Sequence, residues 1–389
     1  MGAASCCAGL APALGLGGRR ACGVASARQP GSAEASRASP VEQEPRPPQA
    51  RGQAPRPAAL APAGKFGWDR LLAEPAERAA FCERLAADGF AIVTAPRTTR
   101  RAAAAVSSLA GRFFAKPAEE KQELGSIRYA RGKLVGYLSR DDGAQFLEVH
   151  ATPCGSAVPG PPGMSTFGPA CGLLHAELLQ MGRDVLSWLA QHIGVPSEGL
   201  LGCLDCPSLD GLGAGEFGAC VLRLCNYARC GDDEVFGEHT DASFLTLAPA
   251  SSAPGLQMWS NAASEWLDVE RGLEPGDVVI FIGDFVEVLT KGSYTAALHR
   301  VVLTPADASS RISMPFLMRG QPASEVHTAP VVDANPRIPL LRMEHTSYES
   351  LRLFLDLKGK KRMQNRALAK CDAKAAARDA DLAPSGSWR

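Results

Sequence analysis

The chain has no run of about 18 consecutive apolar residues, so no membrane-spanning helix is expected. It also lacks an excess of either charge. Lys and Arg together number 41 and Asp and Glu 41, a balance that leaves no basic footprint for nucleic acid or for an anionic membrane surface. The expected partner is a small molecule, met by a monomeric chain. Cysteine is present but unpatterned, because the 12 cysteines lack the regular spacing of a small disulfide scaffold and so read as reduced thiols. Cys203 and Cys206 make an isolated C-x-x-C with no second pair to complete a zinc site.

Acidic residues are scarce at the start, where Glu34 is the sole one in residues 1–40, among many Ala, Gly, Ser and Arg. The Pro/Ala/Arg-rich stretch that follows has no periodic apolar face. Residues 1–64 are therefore expected to be disordered, an organellar transit peptide (plastid or mitochondrion) followed by a linker. Gly2 does not make a myristoylation signal, since Cys6 stands where Ser or Thr is wanted.

From Lys65 the composition becomes globular. WDRLLAEPAERAAFCERLAADGF has apolar residues at helical spacing up to Gly89, and FAIV after it reads as a buried strand. An Ala-rich helix follows, broken near Pro117, and residues 171–194 form a long amphipathic helix expected to back a sheet. His175 and His192 lie on it without partner ligands and read as structural. Past a Gly-rich loop at 211–218 come short strands separated by turn signals: ACVLRLCNY, SFLTLAP, GLQMWS, EWLDVE, DVVIFIG, SYTAALHRVVL and RISMPFLMRG. The fold class is thus mainly β with flanking helices, a jelly roll with a helical N-terminal subregion. Expected boundaries are 65–214 for the helix-rich region, 215–320 for the β core and 321–389 for a C-terminal helical segment and tail, whose basic run Lys358–Arg366 reads as a solvated helix end.

One stretch carries chemistry. In FGEHTDASFLTL (236–247), read as a continuous strand, His239 and Asp241 share a face with Ser243, Leu245 and Leu247. His299, in the strand SYTAALHRVVL, can be brought beside them by a rolled sheet. Two imidazoles and one carboxylate fill one face of an octahedral ion and leave room for substrate and O2, which suits non-haem Fe(II) better than zinc. Further on, Arg311 and Ser313 share a strand face, a fork and a donor suited to a carboxylate.

These motifs, with PGLQMW at 254–259 and PGDVVIFIGDFVEVLTKGSYTAALHRV at 275–301, resemble the isopenicillin N synthase-like branch of the 2-oxoglutarate and Fe(II)-dependent dioxygenases over most of residues 65–357. The resemblance implies a double-stranded β-helix. It also implies Fe(II) held by His239, Asp241 and His299, with no catalytic residue beyond these ligands, and 2-oxoglutarate held through its distal carboxylate by Arg311 and Ser313. O2 is the other cosubstrate and ascorbate an accessory reductant. The implied activity is oxidation of a small metabolite, chiefly hydroxylation, with release of succinate and CO2. LRLCNYARC is similar to the family segment L-R-L-N-H-Y-P-P-C, so Tyr227 matches a tyrosine that contacts the cosubstrate. Cys225, Ala228 and Arg229 depart from that pattern. Phe244, Phe281, Phe316 and Met318 are available as cavity walls or core, and His150 as a border of the substrate pocket. An oxidase of the same fold without 2-oxoglutarate, and an inactive ligand-binding barrel, are the alternatives.

Overall fold

Residues 277–282, DVVIFI, are buried at every position, which an alternating strand permits only when both faces are covered. Val278, Ile280 and Ile282 enter a core shared with the helices, while Val279 and Phe281 enter a second core with Leu256, Met258 and Leu267. The computed structural model describes residues 64–355 with interruptions, together with Ala58–Ala59. Residues 1–57, 60–63, 124–125, 129–133, 141–142, 152–160, 202–216, 229–233, 304–309, 322–323 and 356–389 lie outside that description.

Among the described residues, the larger sheet runs Lys65–Gly67, Phe90–Thr94, Asp277–Ile282, Leu245–Pro249, Phe316–Leu317, Val221–Ala228, Gln145–His150, Leu134–Ser139 and Ser126–Arg128, with Ser310–Ser313 also on Val221–Ala228. The smaller sheet runs Ala58–Ala59, Glu265–Asp268, Leu256–Ser260, His299–Val302 and Glu234–His239. One face of the larger sheet packs on the helices and the other meets the smaller sheet, the two-layer arrangement of a jelly roll. Ala58–Ala59 pairs in parallel with Leu267 and Asp268, and Lys65 pairs with Ile92, so the chain enters the sheets on both sides of the boundary expected at residue 64.

The helices follow from the apolar spacing. Trp68–Ala73 and Pro75–Asp88 are split where Pro75 opens the second helix, and Gly89 closes it in the left-handed conformation. Arg97–Phe114 stops ahead of Pro117, after which Ala118–Gln122 resumes with Glu119 and Glu120 in its first turn. Phe167–His192 buries Leu174, Leu178, Met181, Val185 and Leu189 against the sheet. Gly182 makes that approach possible. A Cβ there would sit 1.9 Å from Met318 Sδ and 3.3 Å from Leu247 Cδ1.

Two expected strands are shorter than their apolar runs. SYTAALHRVVL is strand only at His299–Val302, and RISMPFLMRG is divided into Ser310–Ser313 and Phe316–Leu317 around Met314 and Pro315, since proline gives no ladder N–H. The C-terminal helix is seen at residues 348–355, where Tyr348 stacks on Phe285 with ring centroids 4.5 Å apart. The transit-peptide reading of residues 1–57, the Cys203 and Cys206 pair and the basic run Lys358–Arg366 lie outside the described residues.

Candidate active site

His239 is the last residue of its strand in the smaller sheet, and the chain leaves that ladder at Thr240 and enters the larger sheet at Leu245. The continuous strand expected through 236–247 is therefore two strands, and parity does not carry a shared face across the break. What brings the carboxylate to the imidazole is a turn. Asp241 lies in it, and Thr246, on the opposite parity, donates its hydroxyl to Asp241 Oδ2 at 2.6 Å. The turn is held from beneath by Asp284 N–H to Asp241 O at 2.9 Å.

His299 is paired in register with His239 across neighbouring antiparallel strands. Their ring centroids are 4.1 Å apart, and one ligand atom from each of His239, Asp241 and His299 falls within 4.8 Å of the other two. Nδ1 of His239 donates to the Gly237 carbonyl at 2.8 Å and Nδ1 of His299 to the Ala297 carbonyl at 3.0 Å. Each bond fixes the tautomer and leaves Nε2 as the free lone pair, 3.7 and 3.9 Å from the Asp241 carboxylate. Burial lowers the His239 pKa and the adjacent His299 lowers it further, so the ring is neutral, as a ligand must be. Burial alone would raise the Asp241 carboxyl, but His299, His239 and the Thr246 hydroxyl together hold it below its ordinary value. Two imidazole nitrogens and a carboxylate oxygen on one spot form a donor set that fits Fe(II).

The three side chains open onto a cavity between the sheets. The larger sheet contributes Arg223, Cys225, Tyr227, Phe281, Arg311 and Ser313, and the smaller sheet adds Leu256 and Val301. Arg311 pairs in register with Tyr227, and Ser313 with Cys225, which puts the fork, the hydroxyl and the tyrosine on one wall. Arg311 is 3% exposed and Ser313 5%. The Arg311 fork is partly occupied, however. Nε and Nη2 donate to the Glu270 carboxylate at 3.2 and 2.8 Å and Nη2 also to Ser251 Oγ at 2.8 Å, whereas Nη1 is buried without a hydrogen-bond partner. A buried guanidinium nitrogen left unpaired beside a cluster of metal-ligand type fits an anionic oxygen.

A family model described as "2OG-Fe(II) oxygenase superfamily" matches residues 218–320, the stretch that supplies the triad and the Arg311 wall. Gibberellin 3-beta-dioxygenase 1 of Oryza sativa subsp. japonica is 35% identical over 117 residues, 29% of this chain and 29% of that protein. Gibberellin 2-beta-dioxygenase 4 of Arabidopsis thaliana is 26% identical over 208 residues, 49% of this chain and 60% of that one. The matches thus span less than two thirds of these curated relatives. The crystal structure of the dioxygenase for auxin oxidation in rice superposes with a TM-score of 0.56 at 17% identity, covering 76% of this chain and 95% of that one. Residues 218–320, which hold the triad and Arg311, are thus similar to the 2OG-Fe(II) oxygenase superfamily.

The cavity also holds groups that sequence reasoning passed over. Arg223, two residues before Cys225 on the same strand face, lines the cavity and is held by Glu148 through Nε at 2.9 Å. The alternation R-x-C-x-Y along 223–227 is the signal that could have found it. Glu270 and Thr246 carry no such signal, since neither belongs to a spacing pattern with the residue it holds. Phe281 lines the cavity, whereas Phe244, Phe316 and Met318, 0% exposed, are core. His150 is buried with Nδ1 donating to the Gly218 carbonyl at 2.9 Å and Nε2 lying 4.0 Å from the Glu148 carboxylate. His175 and His192 are held by the Cys220 carbonyl and the Tyr294 hydroxyl, apart from the triad.

Proposed function

We propose that this protein catalyses the 2-oxoglutarate- and Fe(II)-dependent oxidation of a small organic metabolite, chiefly by hydroxylation, and acts as a monomer. The observation that carries the reading is the convergence, on one cavity, of three ligand-type atoms and a buried arginine with one unpaired nitrogen. Bound there, Fe(II) with 2-oxoglutarate and O2 supplies the oxidant that takes a hydrogen from the substrate while the cosubstrate becomes succinate and CO2.

The chain's own residues do the rest. His239 Nε2, His299 Nε2 and an Asp241 oxygen would hold the ion, and Thr246 keeps the carboxylate from rotating away. Arg311 Nη1 would donate to the distal carboxylate of 2-oxoglutarate, with Ser313 and Tyr227 on the same wall. Leu256, Phe281 and Val301 give the cavity apolar walls that keep water from the reacting centre. The gibberellin dioxygenases among its relatives support an organic small molecule as substrate. Among the described residues no helix is long and apolar enough to cross a membrane.

Titrating 2-oxoglutarate into the anaerobic Fe(II)-loaded protein tests this reading. A visible metal-to-ligand charge-transfer band should appear, and its absence at millimolar cosubstrate would sink the assignment. The Glu270 carboxylate across the Arg311 fork favours a second reading, an oxidase of the same fold that does without 2-oxoglutarate, and the titration separates the two. Screening metabolites for stimulated succinate release then identifies the substrate. We propose as well that residues 1–64 direct the protein to a plastid or mitochondrion, a reading supported by their Arg- and Ser-bearing, acid-poor composition. A diffuse cytosolic signal from a reporter fused to them would retire it.

A further inference from the structure

Arg311 is oriented several times over. Its side chain lies flat on Gly255, where a Cβ would come within 2.9 Å of Cδ and 3.1 Å of Nε. The Tyr227 ring sits 5.7 Å from the guanidinium carbon, and Ser251 Oγ accepts from Nη2. The Glu270 carboxylate adds three more bonds, one from Nε and two from Nη2, to a side chain already held. Its distinct contribution is charge.

Glu270 is itself fully engaged, accepting from the Leu256 N–H at 2.7 Å and from the Ser251 hydroxyl as well as from Arg311. It lines an outer groove with Ser251, Arg100 and Arg101, not the cavity of the triad. An anion entering beside the triad therefore meets a guanidinium whose charge is already matched from the far side, with Nη1 as the one nitrogen left to donate. In a buried setting, where charges interact more strongly than in water, that compensation weakens the clamp without blocking it. 2-Oxoglutarate and succinate carry the same distal carboxylate. A clamp at full charge would hold the product as firmly as the cosubstrate.

We propose that Glu270 is a built-in counter-anion that tempers Arg311, lowering the affinity of the site for dicarboxylates so that succinate can leave; this rests on the 2-oxoglutarate reading above. Glu270 is thus a residue that acts through Arg311 and need not touch the ligand.

The test uses the full chain, anaerobic and Fe(II)-loaded, as wild type, Glu270→Gln and Ser251→Ala. 2-Oxoglutarate is titrated through the charge-transfer band, and succinate through its displacement of that band. Removing the charge while keeping an amide oxygen for the Leu256 N–H and the guanidinium should tighten both ligands on the order of tenfold. It should also lower the melting temperature of the ligand-free protein and enlarge the upward shift that 2-oxoglutarate produces. Ser251→Ala, which disturbs the same network without changing charge, should tighten neither ligand. Damage to structure alone cannot produce tighter binding. Should Glu270→Gln fail to fold, Glu270→Ser, which admits water beside the guanidinium, is measured in the same way. Unchanged or weaker dicarboxylate binding in the charge-free variant overturns the proposal while leaving the cosubstrate reading intact. A wild type without any band overturns the cosubstrate reading and this proposal with it.

Discussion

His239 and His299, remote in sequence, are register partners on adjacent antiparallel strands, with their rings 4.1 Å apart and both Nδ1 atoms tied to the backbone two residues before them. Neither ring is free to turn, so the two Nε2 atoms are presented to one point beside Asp241 before any ion arrives. Replacing His239, Asp241 or His299 by Ala should abolish stoichiometric Fe(II) binding and activity while the circular dichroism spectrum stays that of the wild type. His327 and His345, stacked on each other away from the cavity, serve as controls whose replacement leaves iron content unchanged. Full iron occupancy in any of the first three variants would remove that residue from the ligand set.

Thr246→Val removes the hydroxyl that donates to Asp241 Oδ2 and also meets the Ser243 hydroxyl at 3.1 Å, while the replacement keeps nearly the same shape in a side chain that is 0% exposed. Partners that orient a ligand in this way are typically worth about 10- to 100-fold in metal affinity. Competition with a metal chelator should show a loss of that size, and affinity equal to wild type would mean the turn alone holds Asp241.

Arg311→Gln removes the donor proposed for the cosubstrate and strands the Glu270 carboxylate, which is 8% exposed. The first effect should weaken 2-oxoglutarate by roughly 2 to 4 kcal/mol, and Arg311→Lys should recover only part of it. The second should cost stability, about 3 to 5 kcal/mol for one partner of a buried pair. Arg311→Gln combined with Glu270→Gln should regain much of the stability but not the cosubstrate. Denaturant melts of the single and double variants check this, and additive losses would deny that the two residues act as a pair.

His175 is buried, edge-on to the Phe316 ring at 4.8 Å, with Nε2 3.3 Å from the Cys220 carbonyl. Burial pushes its pKa down from 6.5 to about 4. Because the unfolded chain takes up the proton that the folded ring refuses, stability is whole above about pH 6.5 and falls as the pH drops toward 4. The full effect is about 3 kcal/mol at the acid end. His175→Phe should flatten the decline of melting temperature over that interval, and an equally steep decline in the variant would place the acid sensitivity elsewhere.

Local order determined a large part of this protein. Helix ends at Gly89 and ahead of Pro117, and the strands at 221–228, 256–260 and 277–282, depend on periodicity and turn chemistry within a few residues, which a sequence carries in full. The spacing of His239 with Asp241, and of Arg311 with Ser313, was legible for the same reason, and His299 could be joined to them because a rolled sheet has few ways to return. Tertiary structure alone decided that the strand breaks after His239, so that a turn and the Thr246 hydroxyl aim Asp241 where a shared strand face had been expected to. It alone paired Arg311 with Glu270 across 41 positions of chain. No spacing announces that pairing: the contact exists because two sheets pack face to face and bury a charge from one against a charge that closes the end of a strand in the other, and burial of an arginine demands a partner without saying where in the sequence it will be found.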